Sequence, residues 1–410
     1  MNPTNGAPGP GPTALRTLGR VLRKAASVLG YSLVPVLLLV FFVVPGPVIS
    51  TSSAIGAEMA FAAVNGRDAV VLAYEATGFA GVRGGTERRV TAVDLATGDT
   101  LWDQPLPDGH HLPEVVAAGR SLAYVRSGAG LDIVSLADGE VVAEAESVEG
   151  LGADRYVGVG AAGAYRYDRA RNAIVTVTAA GQVRAVPLDG TAAAPADADL
   201  TDTWSCLLGR SGAAPADYDG TAETAALPGG RTVALARPVG RPRGLPLLRL
   251  HERGPGDRTH RELSATDFAE PGFLVDHTPV EPRRRACPGR APHEDVHPGG
   301  RPHTARTAVL ASGHAVILSR TDLNADTRSL TVVDLATGEP TATAGIDGDV
   351  VRAMTAPSGQ LVVAASTELH GRLNFPITTP TTDVLFIADE RGGLRRVVVG
   401  ERGWFGRIGG

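Results

Sequence analysis

Asp94-Leu95-Ala96-Thr97-Gly98 recurs letter for letter as Asp334-Leu335-Ala336-Thr337-Gly338. Each copy closes a β-rich run, Val90-Thr91-Ala92-Val93 in the first and Leu330-Thr331-Val332-Val333 in the second. Such a run entering an Asp-to-Gly turn reads as one arm of a hairpin. The Asp carboxylate can accept from backbone amides two residues on, and Gly supplies the positive φ that hairpin loops often require. The copies lie 240 residues apart, a multiple of the roughly 40–45 residues taken by one four-stranded blade of a β-propeller.

Working outward, residues 115–145 show a whole unit. Val115–Ala118, Ser121–Val125, Leu131–Val134 and Glu140–Ala145 are short apolar or alternating runs, separated by Gly119-Arg120, Ser127–Gly130 and Ala137–Gly139. Four short strands punctuated by Gly predict an antiparallel meander. The third turn of that unit is expected again at Gly98, Gly139, Gly181 and Gly338, with Arg391-Gly392-Gly393 closing one more. Leu247–Leu250, Gly254–Gly256 and Arg261–Leu263 predict a further hairpin. Residues 279–306 hold six prolines, six arginines and three histidines without periodicity, so they read as an irregular insertion. Five steps of about 42 residues plus that insertion give seven blades, and six steps of about 40 give eight. The fold class is therefore all-β, a propeller over residues 58–410, most simply of seven blades, with eight as the alternative.

The run Val90 to Trp102, apolar-x-Ala-Val-Asp-x-x-Thr-Gly-x-x-x-Trp, resembles the repeat of quinoprotein-like propellers, the pyrroloquinoline-quinone dehydrogenases and their non-enzymatic relatives. Residues 330–338 match its first half, and residues 131–139 match more weakly. The resemblance implies a propeller whose blades dock through the terminal tryptophan, which only Trp102 keeps. In the enzymes it also implies calcium, a catalytic aspartate and adjacent cysteines beneath the cofactor. The chain has no Cys-Cys pair, and its Asp and Glu residues form no recognisable ligand pattern. A non-enzymatic member without a cofactor is the expectation, and a quinoprotein-type oxidoreductase is the rival reading.

Ala25 to Val44 is twenty residues without a charge, the length that spans a bilayer core as a helix, and Pro45-Gly46-Pro47 ends it. Arg16, Arg20, Arg23 and Lys24 precede it, and the first acid in the chain is Glu58. The positive-inside rule then places a disordered basic tail, residues 1–24, in the cytoplasm, followed by the span, a linker over 45–57 and the propeller outside. Cleavage near Ser53–Ala57, which would release a secreted protein, is the alternative. The net charge of −5 divides into +4 before Glu58 and −9 over the rest, which lacks a basic footprint and argues against nucleic acid. Lys24 is the only lysine, so neither a Schiff-base nor a P-loop lysine exists in the propeller.

His293-Glu294-Asp295-Val296-His297 fits the zincin spacing, which needs a helix to put both histidines on one metal. Pro292 and Pro298 bracket those five residues, so no useful helix fits there. Adventitious metal affinity from Cys287, His293, His297 and His303 is the weaker alternative to a solvated loop. His110-His111 reads as a surface loop. Gly158-Val159-Gly160-Ala161-Ala162-Gly163 matches a dinucleotide fingerprint, but the alternating Ala164–Asp168 that follows predicts a strand rather than the required helix. Cys206 and Cys287 are the only cysteines and either pair as a disulfide or stay apart. The expected function is that of a membrane-anchored extracytoplasmic binding or scaffold module, with an envelope sensor or assembly factor as a further alternative. Catalytic and cofactor residues are not assignable from these motifs.

Overall fold

The computed structural model describes residues 52–77, 86–107, 112–157, 164–201, 221–238, 246–254, 261–276, 306–368 and 381–400. The chain divides into two compact units, and these residues all belong to the one formed by 51–370 and 375–401. Ala25–Val44 lies outside them. Among the described residues no helix is long and apolar enough to cross a membrane.

Twenty-four of the twenty-six antiparallel strands form six consecutive four-stranded arrays among the described residues. Array one is β1 (Ser52–Val64), β2 (Arg67–Thr77), β3 (Thr86–Asp94) and β4 (Thr100–Pro105). Array two is β5 (Glu114–Ala118), β6 (Leu122–Ser127), β7 (Gly130–Ser135) and β8 (Val141–Ala143). Array three is β9 (Tyr165–Asp168), β10 (Ala173–Val177), β11 (Val183–Pro187) and β12 (Ala194–Pro195). After the short β13 (Thr221–Ala222), array four is β14 (Thr224–Ala226), β15 (Thr232–Ala236), β16 (Leu247–Arg253) and β17 (Arg261–Glu262). Array five runs from β18 (Phe268–Asp276), past the edge strand β19 (Arg306–Thr307), to β20 (His314–Arg320), β21 (Arg328–Asp334) and β22 (Pro340–Ile346). Array six is β23 (Val350–Thr355), β24 (Leu361–Glu368), β25 (Thr381–Ala388) and β26 (Leu394–Val398). Leu247 and Leu248 pair with Ala269 and Phe268, so arrays four and five share one sheet.

Every array is an up-and-down meander, and packed cores join five of the six successive pairs of arrays among the described residues. On β2, Val70, Leu72 and Tyr74 pack with array six, while Val71 and Ala73 pack with array two. That is why Ala69–Tyr74 reads as continuous apolar sequence rather than as an alternating strand. Comparable cores join arrays two and three, four and five, and five and six. A relay of four-stranded meanders whose last member packs on its first is the architecture of a β-propeller.

Closure uses a contact that two other joints share. The turn between β3 and β4 packs on β26: a Cβ at Gly98 would lie 2.8 Å from Arg395 Cδ and 2.9 Å from Val397 Cγ2, and the Arg395 guanidinium donates to Ala96 O. The turn between β7 and β8 packs on β4, with Trp102 Nε1 donating to Leu136 O at 2.8 Å. The turn between β25 and β26 packs on β22, with Thr341 Oγ1 donating to Gly392 O at 2.8 Å. The joint between arrays six and one is further tied by Ser53 N–H donating to Thr382 Oγ1 at 3.0 Å and Ile55 N–H to Asp383 Oδ2 at 2.7 Å. The first and last apolar segments thus lie in adjacent arrays.

Four expectations change. The linker expected over 45–57 ends at Ser52, because Ser52–Ile55 already pair with Tyr74–Thr77 across a bulge that precedes Met59. Gly181 is not a third turn. It closes the β10–β11 hairpin, and a Cβ there would meet nothing within 4 Å. The third turn of array three is Leu188–Gly190, where Asp189 takes φ +65 in place of a glycine, and the 42-residue spacing from Gly139 is coincidental. The insertion 279–306 interrupts the first hairpin of array five, and its last residue, Arg306, opens β19 rather than remaining irregular. The two identical turns sit four arrays apart, in arrays one and five, so the 240-residue offset exceeds four blade lengths. Residues 202–220 and 277–305, which lie outside the described residues, fall within that interval.

Candidate functional site

The repeated turn sets the register of two equivalent arrays. Asp94 Oδ1 accepts from Ala96 N at 2.7 Å and Thr97 N at 3.0 Å, and Asp334 Oδ1 accepts from Ala336 N at 2.8 Å. Gly98 and Gly338 close these turns with φ of +79 and +76, and Gly139 closes the weaker copy at +79. A register shift follows at the same place in each, between Ala92 and Val93 in one array and Val332 and Val333 in the other. Asp94 therefore corresponds to Asp334, and strand positions can be matched one by one.

Counting back from those aspartates pairs Tyr74 with Ser319, Arg89 with Ser329 and Asp103 with Thr343. Tyr74 faces Arg89 across β2 and β3 as Ser319 faces Ser329 across β20 and β21. Asp103 faces Thr91 as Thr343 faces Thr331. In array one the large residues fill the space toward array six. Tyr74 Oη donates to Asp103 Oδ2 at 2.7 Å, Arg89 Nε donates to Asp103 Oδ1 at 3.0 Å, and Arg89 also pairs with Glu87. Burial, then the Asp103 charge, push the Tyr74 hydroxyl far above its ordinary range.

In array five the same three positions carry small hydroxyls, and a cleft stands in their place. Its volume is about 710 Å³, within the size range of small-molecule sites. One wall is the hydroxyl face of β20, β21 and β22. Ser319, Ser329 and Thr331 are buried, Thr343 is exposed, and all lie on the parity that faces array four. Ser319 Oγ and Ser329 Oγ are 3.3 Å apart, as are Thr343 Oγ1 and Thr331 Oγ1. Those separations are long for hydroxyl pairs, whose mode is about 2.7–2.8 Å. Leu247 and Phe268, at the start of β16 and β18 in the same sheet, line it beside that wall, with Leu323 and Pro340 adding apolar surface. The β20–β21 loop overhangs it, braced by Asn324 N–H donating to Asp322 Oδ1 at 2.7 Å and by the Thr321 and Thr327 hydroxyls 2.8 Å apart.

The charges around the cleft are matched locally. Arg249 bonds Asp267 at 2.5 Å and Glu262 at 2.7 Å, contacts that raise its already high pKa, and Arg320 bonds Glu270 at 2.6 Å. Two other buried charge sites have no such opening in their contacts. Arg126 on β6 bridges Glu58 on β1 and Glu114 on β5 and donates to Tyr165 O on β9, tying three arrays together. Burial pushes the Asp132 carboxyl up to about 6, a value suited to acid–base work, but it is 1% exposed and both oxygens are engaged, by Ser127 Oγ at 3.2 Å and Ala145 N–H at 3.0 Å.

The sequence motifs with chemical meaning do not converge on the cleft. His110-His111, residues 158–163, Cys206, Cys287, His293, His297 and His303 lie outside the described residues. Tyr165–Asp168 does form the strand β9. Among the described residues no group of His, Cys, Asp or Glu has the arrangement of a metal site. Ser319, Ser329 and Thr343 escaped the sequence reading because serine and threonine in strands are ordinary. The available signal was the repeated turn itself, from which Tyr74, Arg89 and Asp103 could have been aligned with three small residues.

No family model matches the chain, and no curated protein does. Among solved structures, the apo AtxE2 isopeptidase aligns at 10% identity with a TM-score of 0.40, covering 89% of this chain and 55% of the isopeptidase. The chain thus spans about half the length of that relative. The β-propeller domain of the Trilobed protease from Pyrococcus furiosus aligns at 8% identity and TM-score 0.21, covering 85% and 86%. The WD40 domain of Toxoplasma gondii coronin aligns at 9% and 0.21, covering 86% and 76%. Likenesses this distant carry no function to this chain, and the propeller assignment stands on its own sheet order and joints.

Proposed function

We propose that this chain is a membrane-anchored, extracytoplasmic β-propeller that binds a ligand in the cleft between arrays four and five. Residues 25–44 serve as the anchor, with residues 1–24 on the cytoplasmic side. The propeller is taken as a member of the quinoprotein-like class without its cofactor. Its ring is taken as the six described arrays in place of seven or eight, because β26 docks on the β3–β4 turn in the manner of two other joints. The single observation that carries the binding reading is the replacement of Tyr74, Arg89 and Asp103 by Ser319, Ser329 and Thr343 at matched positions, which trades a filled joint for an open one. Close-packed joints stabilise a repeat protein, and a joint left unfilled loses those contacts. A ligand seat accounts for that loss.

The test restores the plug. The full chain and its Ser319→Tyr, Ser329→Arg, Thr343→Asp triple variant are melted against fractionated envelope extract. A ligand that binds only the native state raises the melting midpoint by mass action. At least one fraction should raise the midpoint of the parent and leave the plugged variant unmoved. Asn324→Trp, at an exposed position on the overhanging loop, blocks the mouth without touching the core and serves where the triple variant does not fold. If every fraction shifts all variants equally, or none shifts the parent, the cleft is not a binding site.

A further inference from the structure

Resting on that reading of the cleft, we infer that its ligand is a neutral carbohydrate. Ser319, Ser329, Thr331 and Thr343 form a patch of hydroxyls on three adjacent strands. Each hydroxyl offers one donor and two acceptor sites. Mutual contacts at 3.3 Å leave donor and acceptor sites on these hydroxyls, and Thr343, the exposed member, offers its own at the cleft surface. A guest that satisfies a ladder of neutral hydroxyls is itself rich in neutral hydroxyls.

Charge selects against the other polyhydroxylated or phosphorylated classes. A phosphate or carboxylate ligand needs an uncommitted cation, and the two arginines beside the cleft are held by Asp267, Glu262 and Glu270 at 2.5–2.7 Å. Asp267 and Asp322 on the lining add negative potential. A cationic ligand would look for an unpaired carboxylate inside, yet Asp267 is taken by Arg249, and Asp322 sits on the exposed loop with one oxygen on Asn324 N–H. The apolar portion of the lining, Leu247 and Phe268 beside the hydroxyls, suits the C–H face of a sugar ring while its edge hydroxyls meet the serines and threonines. One amphipathic guest satisfies both kinds of lining at once.

The experiment uses the full chain in a polyoxyethylene detergent, which carries no sugar. It is applied to an array of neutral glycans beside sialylated and sulfated ones, and the best neutral glycan is then titrated free in solution. Binding to neutral glycans is expected, retained by the free glycan and weakened at least tenfold by Thr343→Val and by Thr331→Val at an unchanged melting midpoint. Thr343 is exposed, so its variant tests the wall even where Thr331→Val perturbs folding. Binding only to array-linked glycan and not to the free sugar would place recognition in the linker. Together with binding restricted to anionic glycans, no glycan binding, or binding indifferent to both valine variants, that result would overturn the inference. A cleft-dependent melting shift from a sugar-free envelope fraction would remove the carbohydrate while leaving the binding reading intact. Glycan binding that survives Asn324→Trp and the triple plug would remove both.

Discussion

Asp132 shows how far burial alone can move a group. Its carboxyl is raised to about 6 by desolvation, and the bonds from Ala145 N–H and Ser127 only partly offset this. A carboxyl whose folded pKa lies above its unfolded value of ~4 binds its proton more tightly when folded. Its contribution is therefore most favourable at low pH and is lost as pH rises from ~4 to about 6, after which the penalty stays constant. Asp132→Asn keeps an acceptor for Ala145 and a donor for Ser127 without the charge. Denaturant titrations of both proteins between pH 4 and pH 8 should show the variant gaining on the parent by on the order of 2–3 kcal/mol across that window. A constant difference would mean Asp132 does not titrate as described. The glycines give a second contrast. Gly139→Ala combines φ +79 with a Cβ 2.5 Å from the Trp102 ring, so strain and overpacking together should cost about 3 kcal/mol. Gly181→Ala meets open space and should cost only the strain of φ +77, about 1 kcal/mol. Equal losses in chemical denaturation would contradict the assignment of Gly139, and not Gly181, to an array joint.

At the scale of the element, β26 is the strand on which closure depends. Val397 belongs to the core shared by arrays six and one, and Arg395 holds the β3–β4 turn through Ala96 O. Truncation after Gly393 removes β26, exposes the edge of β25 and uncovers Gly98 on the far side of the joint. Unpaired edges template aggregation, and a repeat array without its cap loses cooperativity. The truncated chain should aggregate or melt over a broad range in calorimetry, and a sharp transition at the parent's midpoint would show that the ring does not depend on this strand. The element scale is also where the repeated pentapeptide is most informative. Asp94 to Gly98 identifies a third turn because its Asp and Gly perform local bonds that any copy must repeat. Asp189 performs the glycine's task at φ +65 in array three, and a rule that looks for glycine passes over it.

For the whole molecule, a reporter active only in the cytoplasm and fused after Gly410 should be silent, because Arg16, Arg20, Arg23 and Lys24 precede the apolar run of Ala25–Val44. Reporter activity would reverse the topology without touching the propeller. Much of the propeller was legible in the chain. The meander of array two, the hairpin of β16 and β17, the turns at Gly98, Gly139 and Gly338 and the all-β class follow from short-range chemistry, since alternation, Asp bonding and positive φ are settled within a few residues. Blade count was less legible, because a period read along the sequence cannot separate blade length from the length of what interrupts it. The cleft was legible only indirectly, through the repeated turn that aligns its three small residues with Tyr74, Arg89 and Asp103. Ser319, Ser329 and Thr343 are unremarkable strand residues one by one, separated by up to 24 positions. They become a wall only when three strands set them side by side, and the wall becomes a cavity only because array four leaves it uncovered where array six meets Tyr74, Arg89 and Asp103. The turns and the strand pattern were therefore determined by the sequence itself through local bonding. The joints, and the cleft on array five, were decided by tertiary packing, because the space around a sheet depends on side chains that no local stretch of sequence contains together.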